Sequence, residues 1–259
     1  MDLNSEFDRE TYNHLWKLAK TQQNETGIMT IDEFEYWERF PQNFSDPWFK
    51  TLCHEYRHLR KEELPNGVEF GITYKSVSIN PQTYLKYLLN IFTLMGGTTQ
   101  RAELSHLNEC IKNETDIVIN CSGVHSRTLK EKTDNKSVLT YVIPHDEEEV
   151  ILGGTYEENN YSTDVDYDAA ARIIQRCLAI CPDLLPKDQA QLTIKGYGVG
   201  LRPCRKGGVR VDAEWITSEK ISKKILIGHN YGHGGAGFES SYGAANHLIK
   251  VMKGMLNDL

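Results

Sequence analysis

The chain reads as a mixed α/β protein, on three observations. Residues 116–120, Asp-Ile-Val-Ile-Asn, form a continuous apolar run, the pattern of a strand buried on both faces of a parallel sheet. Residues 138–143 and 150–152 flank the acidic turn at 146–149, as the arms of an antiparallel hairpin do. Ala170, Ile173, Ile174, Cys177, Leu178 and Cys181 recur at helical spacing and are stopped by Pro182.

The remaining elements follow in order. Residues 8–20 predict a helix with an uneven apolar stripe of Tyr12, Leu15, Trp16, Leu18 and Ala19. A turn-rich stretch at 40–46 and the Pro65-Asn66-Gly67 break separate this region from short strands expected at 68–72 and 77–79. Asn80 and Pro81 open a helix whose buried face is expected to be Tyr84, Leu85, Leu88, Leu89, Phe92 and Met95, with Gly96 and Gly97 ending it. The run at 116–120 enters Cys121, Ser122 and Gly123, small residues that let another group approach the strand end. Strands are expected around 191–202 and 209–215. The closing unit is a strand at 224–228, a glycine-rich loop at 229–237, and a helix to Leu256 packed through Ala245, Leu248, Val251, Met252 and Met255. There is no internal repeat, low-complexity tract or flexible linker.

Composition narrows the function. The 259 residues suffice for one large or two moderate domains, and 39% hydrophobic with 25% charged residues is ordinary for a globular chain. Thirteen tyrosines within 10% aromatics argue against disorder. A net charge of −7, with 29 Lys+Arg against 36 Asp+Glu and no basic block, disfavours nucleic acid and anionic membranes as partners. No apolar run reaches the length of a membrane span, because Asn90 and Thr93 interrupt the best one. The first residues lack a secretory signal, so the expected location is not extracellular, and the six cysteines are expected as free thiols.

Three motifs could carry chemistry. His54-Glu55-Tyr56-Arg57-His58 matches H-E-x-x-H, which on a helix would place two imidazoles one turn apart around Zn²⁺. Arg57 beside the metal and the want of a third ligand count against it, so no metal is expected. Gly232-His-Gly-Gly-Ala-Gly237 matches G-x-G-x-x-G between a strand and a helix, an anion cradle without the second strand of a dinucleotide unit. Arg202, fixed by the following Pro203 at an expected strand end, suits bidentate carboxylate recognition, with a surface ion pair as the plainer reading.

Taken together and in order, these pieces resemble the D-amino-acid oxidase family of flavoenzymes. The matching stretches are 71–79 with the helix at 84–88, Asp116–Gly123, Tyr141–Pro144, Gly153–Tyr156, 199–203 with 208–210, and 229–237; residues 236–245 lean toward the fungal members. The resemblance implies an FAD-binding Rossmann-like domain, incomplete here, interleaved with an antiparallel-sheet substrate domain. It assigns 1–65 and 126–198 to substrate binding, and 66–125 and 199–259 to the rest of the FAD domain. Arg202 would clamp the substrate α-carboxylate, helped by Tyr141 and Tyr156, and the Gly235 carbonyl would accept from the amino group. Ser122, Gly123, Gly234, Gly235, Ala236, Gly237, Phe238 and Glu239 would hold FAD, with the helix N-terminus behind them favouring negative charge on the reduced ring. Hydride transfer would then rest on positioning rather than on a side-chain acid or base.

The implied reaction turns D-amino acids and O₂ into 2-oxo acids, ammonia and H₂O₂. Neutral substrates are expected, because Tyr156 stands where the D-aspartate-selective branch carries arginine, and Thr133-Asp134-Asn135 offers no second one. A peroxisomal or cytoplasmic location and a homodimer are compatible with the resemblance, although the terminal Asn257-Asp258-Leu259 matches a peroxisomal tripeptide only at its last residue. Two departures stand out. The family's opening strand and Gly-x-Gly-x-x-Gly have no counterpart, and residues 124–140 replace a longer stretch. A sheet lacking that central strand is expected to show an unpaired backbone edge and exposed apolar surface. A non-catalytic remnant of the family is therefore the alternative, and an H-E-x-x-H zinc hydrolase the distant one.

Overall fold

A computed structural model describes residues 3–123, 139–145, 149–157, 160–218 and 221–257. The acidic turn at 146–148, the segment at 133–135 and the terminal Asp258 and Leu259 lie outside the described residues. In chain order the elements are helices α1 (Leu3–Thr21) and α2 (Gln23–Thr26), strands β1 (Ile28–Trp37), β2 (His54–His58) and β3 (Phe70–Ile79), helix α3 (Pro81–Leu94), strands β4 (Ile117–Asn120), β5 (Tyr141–Pro144) and β6 (Val150–Gly153), helix α4 (Tyr167–Ile180), strands β7 (Arg210–Ser218) and β8 (Lys223–Tyr231), and helix α5 (Ser241–Asn257). They form two compact units. The first comprises Met1–Thr11, Gly96–Thr133 and Leu201–Leu259, and the second Tyr12–Met95 and Asp134–Gly200. Strand β3 and helix α3, grouped by the sequence reading with the FAD part, fold in the second unit, and the first turns of α1 in the first.

The first unit is a three-stranded sheet in the order β4-β8-β7, with β4 parallel and β7 antiparallel to β8. Helix α5 covers one face through Ala244, Leu248 and Met252, joined by Phe7, Val211 and Leu226. Gly228 permits this approach, since a Cβ there would stand 2.7 Å from Met252 Sδ. On the other face Ile111, Ile225 and Ile227 form a cluster with Val118 and Ile216. Each fully buried Leu or Ile stabilises by roughly 1.5–3 kcal/mol, so these two clusters hold the sheet.

Strand β4 departs from its expected burial. It pairs with β8 alone among the described residues, and Ile117 and Ile119 are 40% and 52% exposed. Its apolar character suits a central strand, yet it stands at an edge. Among the described residues one edge of β4 is therefore unpaired, with Ile117 and Ile119 exposed along it.

The second unit contains an antiparallel sheet in the order β1-β3-β2 and the separate hairpin β5-β6. The two short strands expected at 68–79 are one ten-residue strand, β3, whose Phe70, Ile72 and Tyr74 lie buried under Trp37, Phe44, Phe49, Cys53 and Tyr56. Leu15, Leu18 and Ala19 of α1 pack with Ile28 and Tyr84. Helix α3 begins as expected: Asn80 Oδ1 accepts from the Thr83 amide at 3.2 Å and Pro81 occupies the first turn. Its buried face does not follow. Tyr84 alone is buried, while Leu85, Leu88, Leu89, Phe92 and Met95 are exposed, because the helix turns its two tyrosines rather than its leucines toward α1.

Helix α4 is capped by Asp166 and seats the fully buried Cys177 on the hairpin, where its thiol donates to the Tyr141 carbonyl at 3.4 Å. Residues 191–200 are not a strand. Gly196, Gly198 and Gly200 fall on alternate positions, so one face of that would-be strand has no side chain to pack.

Candidate functional site

The glycine-rich loop joins β8 to α5 in the first unit. Gly232 and Gly234 adopt φ of 89° and 59°, a region that favours glycine. The loop lies against residues 202–205: the Gly234 amide donates to the Pro203 carbonyl at 3.2 Å, and Cys204 forms a bridge with His233. A Cβ on Gly234 would stand 3.3 Å from Cys204 Sγ, and one on Gly235 would stand 3.4 Å from Arg202 Nε. Arg202 and Gly235, paired by the sequence reading, are therefore neighbours. Arg202 is exposed on this ridge.

Within the loop, Ala236 donates to the His233 carbonyl at 3.0 Å and Ser240 to the Ala236 carbonyl at 2.9 Å. Among the described residues nothing accepts from the amides of Gly235, Gly237 or Phe238. Nothing lies within 4 Å of a Cβ placed on Gly237, and Phe238 and Glu239 are exposed. His233 Nε2 lies 2.7 Å from Asn230 Oδ1, while its buried Nδ1 has no partner. Burial lowers its pKa, against the opposing charge of Asp8.

The α5 N-terminus is less open than expected. The Gly243 amide donates to Thr11 Oγ1 at 2.9 Å, and the Ser240 hydroxyl donates to Asp8 at 2.6 Å. Donors for an incoming anion thus come from the loop rather than from this first helical turn.

The end of β4 supplies the other sequence-predicted cofactor residues. Asn120 Oδ1 accepts from the Ser122 amide at 3.2 Å and its hydroxyl at 2.7 Å, turning the chain into Gly123. Gly123 has φ of 58° and open space where a Cβ would be.

Tyr141 and Tyr156 belong to the second unit, both partly exposed. The Tyr141 ring lies across Gly153 and Gly154; a Cβ on Gly154 would stand 2.7 Å from its Cε1. Arg176 of α4 ties the hairpin together, donating to Thr140 Oγ1 at 2.9 Å and to the Gly154 carbonyl at 3.3 Å. The sequence reading missed Arg176. Its signal was a long cation next to Cys177, on the face that carries the helix's apolar residues.

The H-E-x-x-H segment is strand β2, not a helix. A register shift between His54 and Arg57 interrupts its pairing with β3, so the two imidazoles are not set one helical turn apart. His54 packs on Trp16 with ring centroids 4.6 Å apart, and His58 Nε2 lies 2.7 Å from Asp46 Oδ1. No group of three His, Cys, Asp or Glu able to hold a metal exists among the described residues. An open cleft of about 370 Å³ beside His54 and Glu55 is lined also by Trp16, Lys20, Asp32 and Lys75, and by none of the sequence-predicted FAD or substrate residues.

Comparison with known proteins places the chain. A family model described as "FAD dependent oxidoreductase" matches residues 129–251. The chain is 30% identical over 277 residues to the D-amino acid oxidase of Dugesia ryukyuensis, covering 96% of this chain and 79% of that one. It belongs to the D-amino-acid oxidase family. It is also 32% identical over 230 residues to the D-amino-acid oxidase of Rubrobacter xylanophilus, covering 80% of this chain and 67% of the relative. With that of Fusarium vanettenii it shares 29% over 242 residues, covering 80% and 66%. The chain thus spans about two thirds of the length of these last two relatives. Its fold is similar to that of glycine oxidase from Bacillus cereus, with a TM-score of 0.64 at 15% identity, covering 96% of this chain and 80% of that one.

Membership of the D-amino-acid oxidase family implies FAD. The first unit fits one end of that cofactor. The loop offers the unused amides of Gly235, Gly237 and Phe238, the orphaned His233 Nδ1 lies in the same loop, and Gly123 and Gly237 leave the backbone accessible. No helix among the described residues is long and apolar enough to cross a membrane.

Proposed function

We propose that this chain oxidises neutral D-amino acids to 2-oxo acids, with ammonia and H₂O₂ as the other products. The observation that carries the reading is the placement of Arg202 beside Gly235 at the glycine-rich loop. A fixed guanidinium supplies two parallel donors for a carboxylate, and an adjacent glycine carbonyl accepts from an ammonium one carbon away. These are the two polar groups of an α-amino acid. FAD, when bound, accepts two electrons and passes them to O₂.

The chain's own contribution is orientation. Arg202 binds the α-carboxylate, and Tyr141 and Tyr156 are the second unit's own candidates for holding substrate. Ser122, Gly123 and residues 234–239 would hold FAD, with the amides of Gly235, Gly237 and Phe238 left unused within the loop among the described residues. No side-chain acid or base is required, since the rate comes from holding reacting atoms in place. Tyr156 provides no cation for a second carboxylate, hence the preference for neutral substrates.

The test is direct. Purified protein is examined by visible absorption and assayed for D-alanine-dependent peroxide, with and without added FAD. Yellow protein producing peroxide supports the reading. Colourless protein that stays inactive with FAD supports a second one, a non-catalytic member of the family. That alternative is favoured by the exposure of Ile117 and Ile119 on β4 and of the apolar side of α3 among the described residues.

A further inference from the structure

His229, which has no role in the proposed reaction, is 5% exposed inside the first unit. Its two ring nitrogens face different strands. Nε2 lies 3.0 Å from Glu214 Oε1 on β7, and Nδ1 lies 3.3 Å from Asn120 Nδ2 on β4.

The protonation pattern follows from the far end of this chain of contacts. Asn120 Oδ1 is the acceptor for the Ser122 amide, which can only donate, so the Asn120 NH₂ must be the end that faces His229. An NH₂ donates, so Nδ1 accepts and is unprotonated. The ring hydrogen is then on Nε2, donated to the Glu214 carboxylate. Glu214 is itself held by Arg210 Nη2 at 3.0 Å, and Arg210 also reaches Asp212 at 3.0 Å and the Tyr231 hydroxyl at 3.3 Å. Arg210, and after it His229, hold the Glu214 carboxyl below its ordinary pKa, which keeps it a charged acceptor.

We infer that Glu214, His229 and Asn120 form a positioning relay that sets the turn at Ser122 and Gly123. Resting on the proposed FAD site, this makes Glu214 and His229 positioning residues for the cofactor, although they act only through Asn120. A histidine that merely filled space would have no preferred tautomer and no effect at Ser122.

Three measurements on the full chain test the relay: ¹⁵N spectra of the histidine rings, hydrogen exchange at the Ser122 amide, and FAD titration by fluorescence. They are compared for the wild type, Glu214→Gln and Glu214→Leu. Glu214 is half exposed, so its replacement leaves the core packed. The wild type shows the neutral Nε2–H tautomer. Glu214→Gln keeps an acceptor and keeps that tautomer, with FAD affinity within about twofold. Glu214→Leu leaves the Nε2–H without its acceptor, speeds Ser122 exchange about tenfold and weakens FAD about tenfold, the scale of one lost hydrogen bond. Asn120→Asp, whose carboxylate cannot donate, puts an acceptor at each ring nitrogen, so Nδ1 gains a proton while Nε2 keeps its own. An Nδ1–H wild type, or Ser122 exchange untouched by Glu214→Leu, overturns the relay. Spectra and exchange that respond in a chain binding no flavin uphold the relay and overturn the FAD assignment instead.

Discussion

The backbone of Gly243 in α5 rests directly on the backbone of Phe7 in α1, so closely that a Cβ on Gly243 would overlap the Phe7 carbonyl oxygen. Backbone cannot rotate aside as a side chain can. Gly243→Ala should therefore destabilise the first unit by about 1–3 kcal/mol, read by denaturant titration. Gly254→Ala, in the same helix with open space around it, should instead stabilise by about 0.5–1 kcal/mol. Equal effects of the two would remove the close contact as the cause.

Arg202→Ala should lower kcat/KM for D-alanine about a thousandfold, the scale of a lost bidentate charge pair, with FAD affinity held within about twofold. Steady-state kinetics and a flavin titration check both halves. Retained turnover would take Arg202 out of the substrate site.

Substrate choice turns on Tyr156. D-alanine should outrun D-aspartate in the wild type, and Tyr156→Arg should move the ratio of their kcat/KM values toward D-aspartate by roughly tenfold or more, one added ion pair's worth. A wild type that prefers D-aspartate refutes this account of Tyr156.

Glu33 gives the second unit a pH dependence. Burial, opposed by a hydrogen bond from Ser76 and reinforced by the charge of Glu35, raises its carboxyl pKa. The folded state then holds a proton that the unfolded state releases, so this group's contribution is full below the ordinary glutamate value and lost as pH rises through the folded one. Glu33→Gln should melt above the wild type at neutral pH, and the gap should close in acid. A constant gap across that range would contradict it.

The leucine side of α3 should tolerate charge. Leu88→Lys and Leu89→Lys alter exposed positions, so stability should change by no more than about 0.5 kcal/mol while binding of a hydrophobic dye falls. A large loss of stability would mean that this side packs in the folded protein.

Much of the first unit was legible. The apolar run of β8 and the helical spacing of Leu248 and Met252 both point inward, and the loop glycines sit where turns need them. Strand β1 was not legible, because Asp32, Glu33 and Glu35 make a half-buried strand read as a polar stretch. The H-E-x-x-H letters suggested a helix only by analogy, whereas pairing with β3 makes that segment a strand. The exposure of α3 was equally hidden, since periodicity says which residues share a face but not whether anything lies against it. At the site, Arg202 and Gly235 could be paired from sequence. The His229 relay could not, since its three members are far apart in the chain and meet only through sheet register.

The bond from Gly243 to Thr11 joins residues 232 positions apart. Phe7 likewise packs with Val211, Leu226, Ala244, Leu248 and Met252. During synthesis the opening turns of α1 leave the ribosome long before α5 exists, with an aromatic face and a hydroxyl waiting for it. Completion of this unit consequently waits on a long-range closure, slow by the logic of contact order. A nascent chain halted before residue 240 should keep Phe7 available to chaperones.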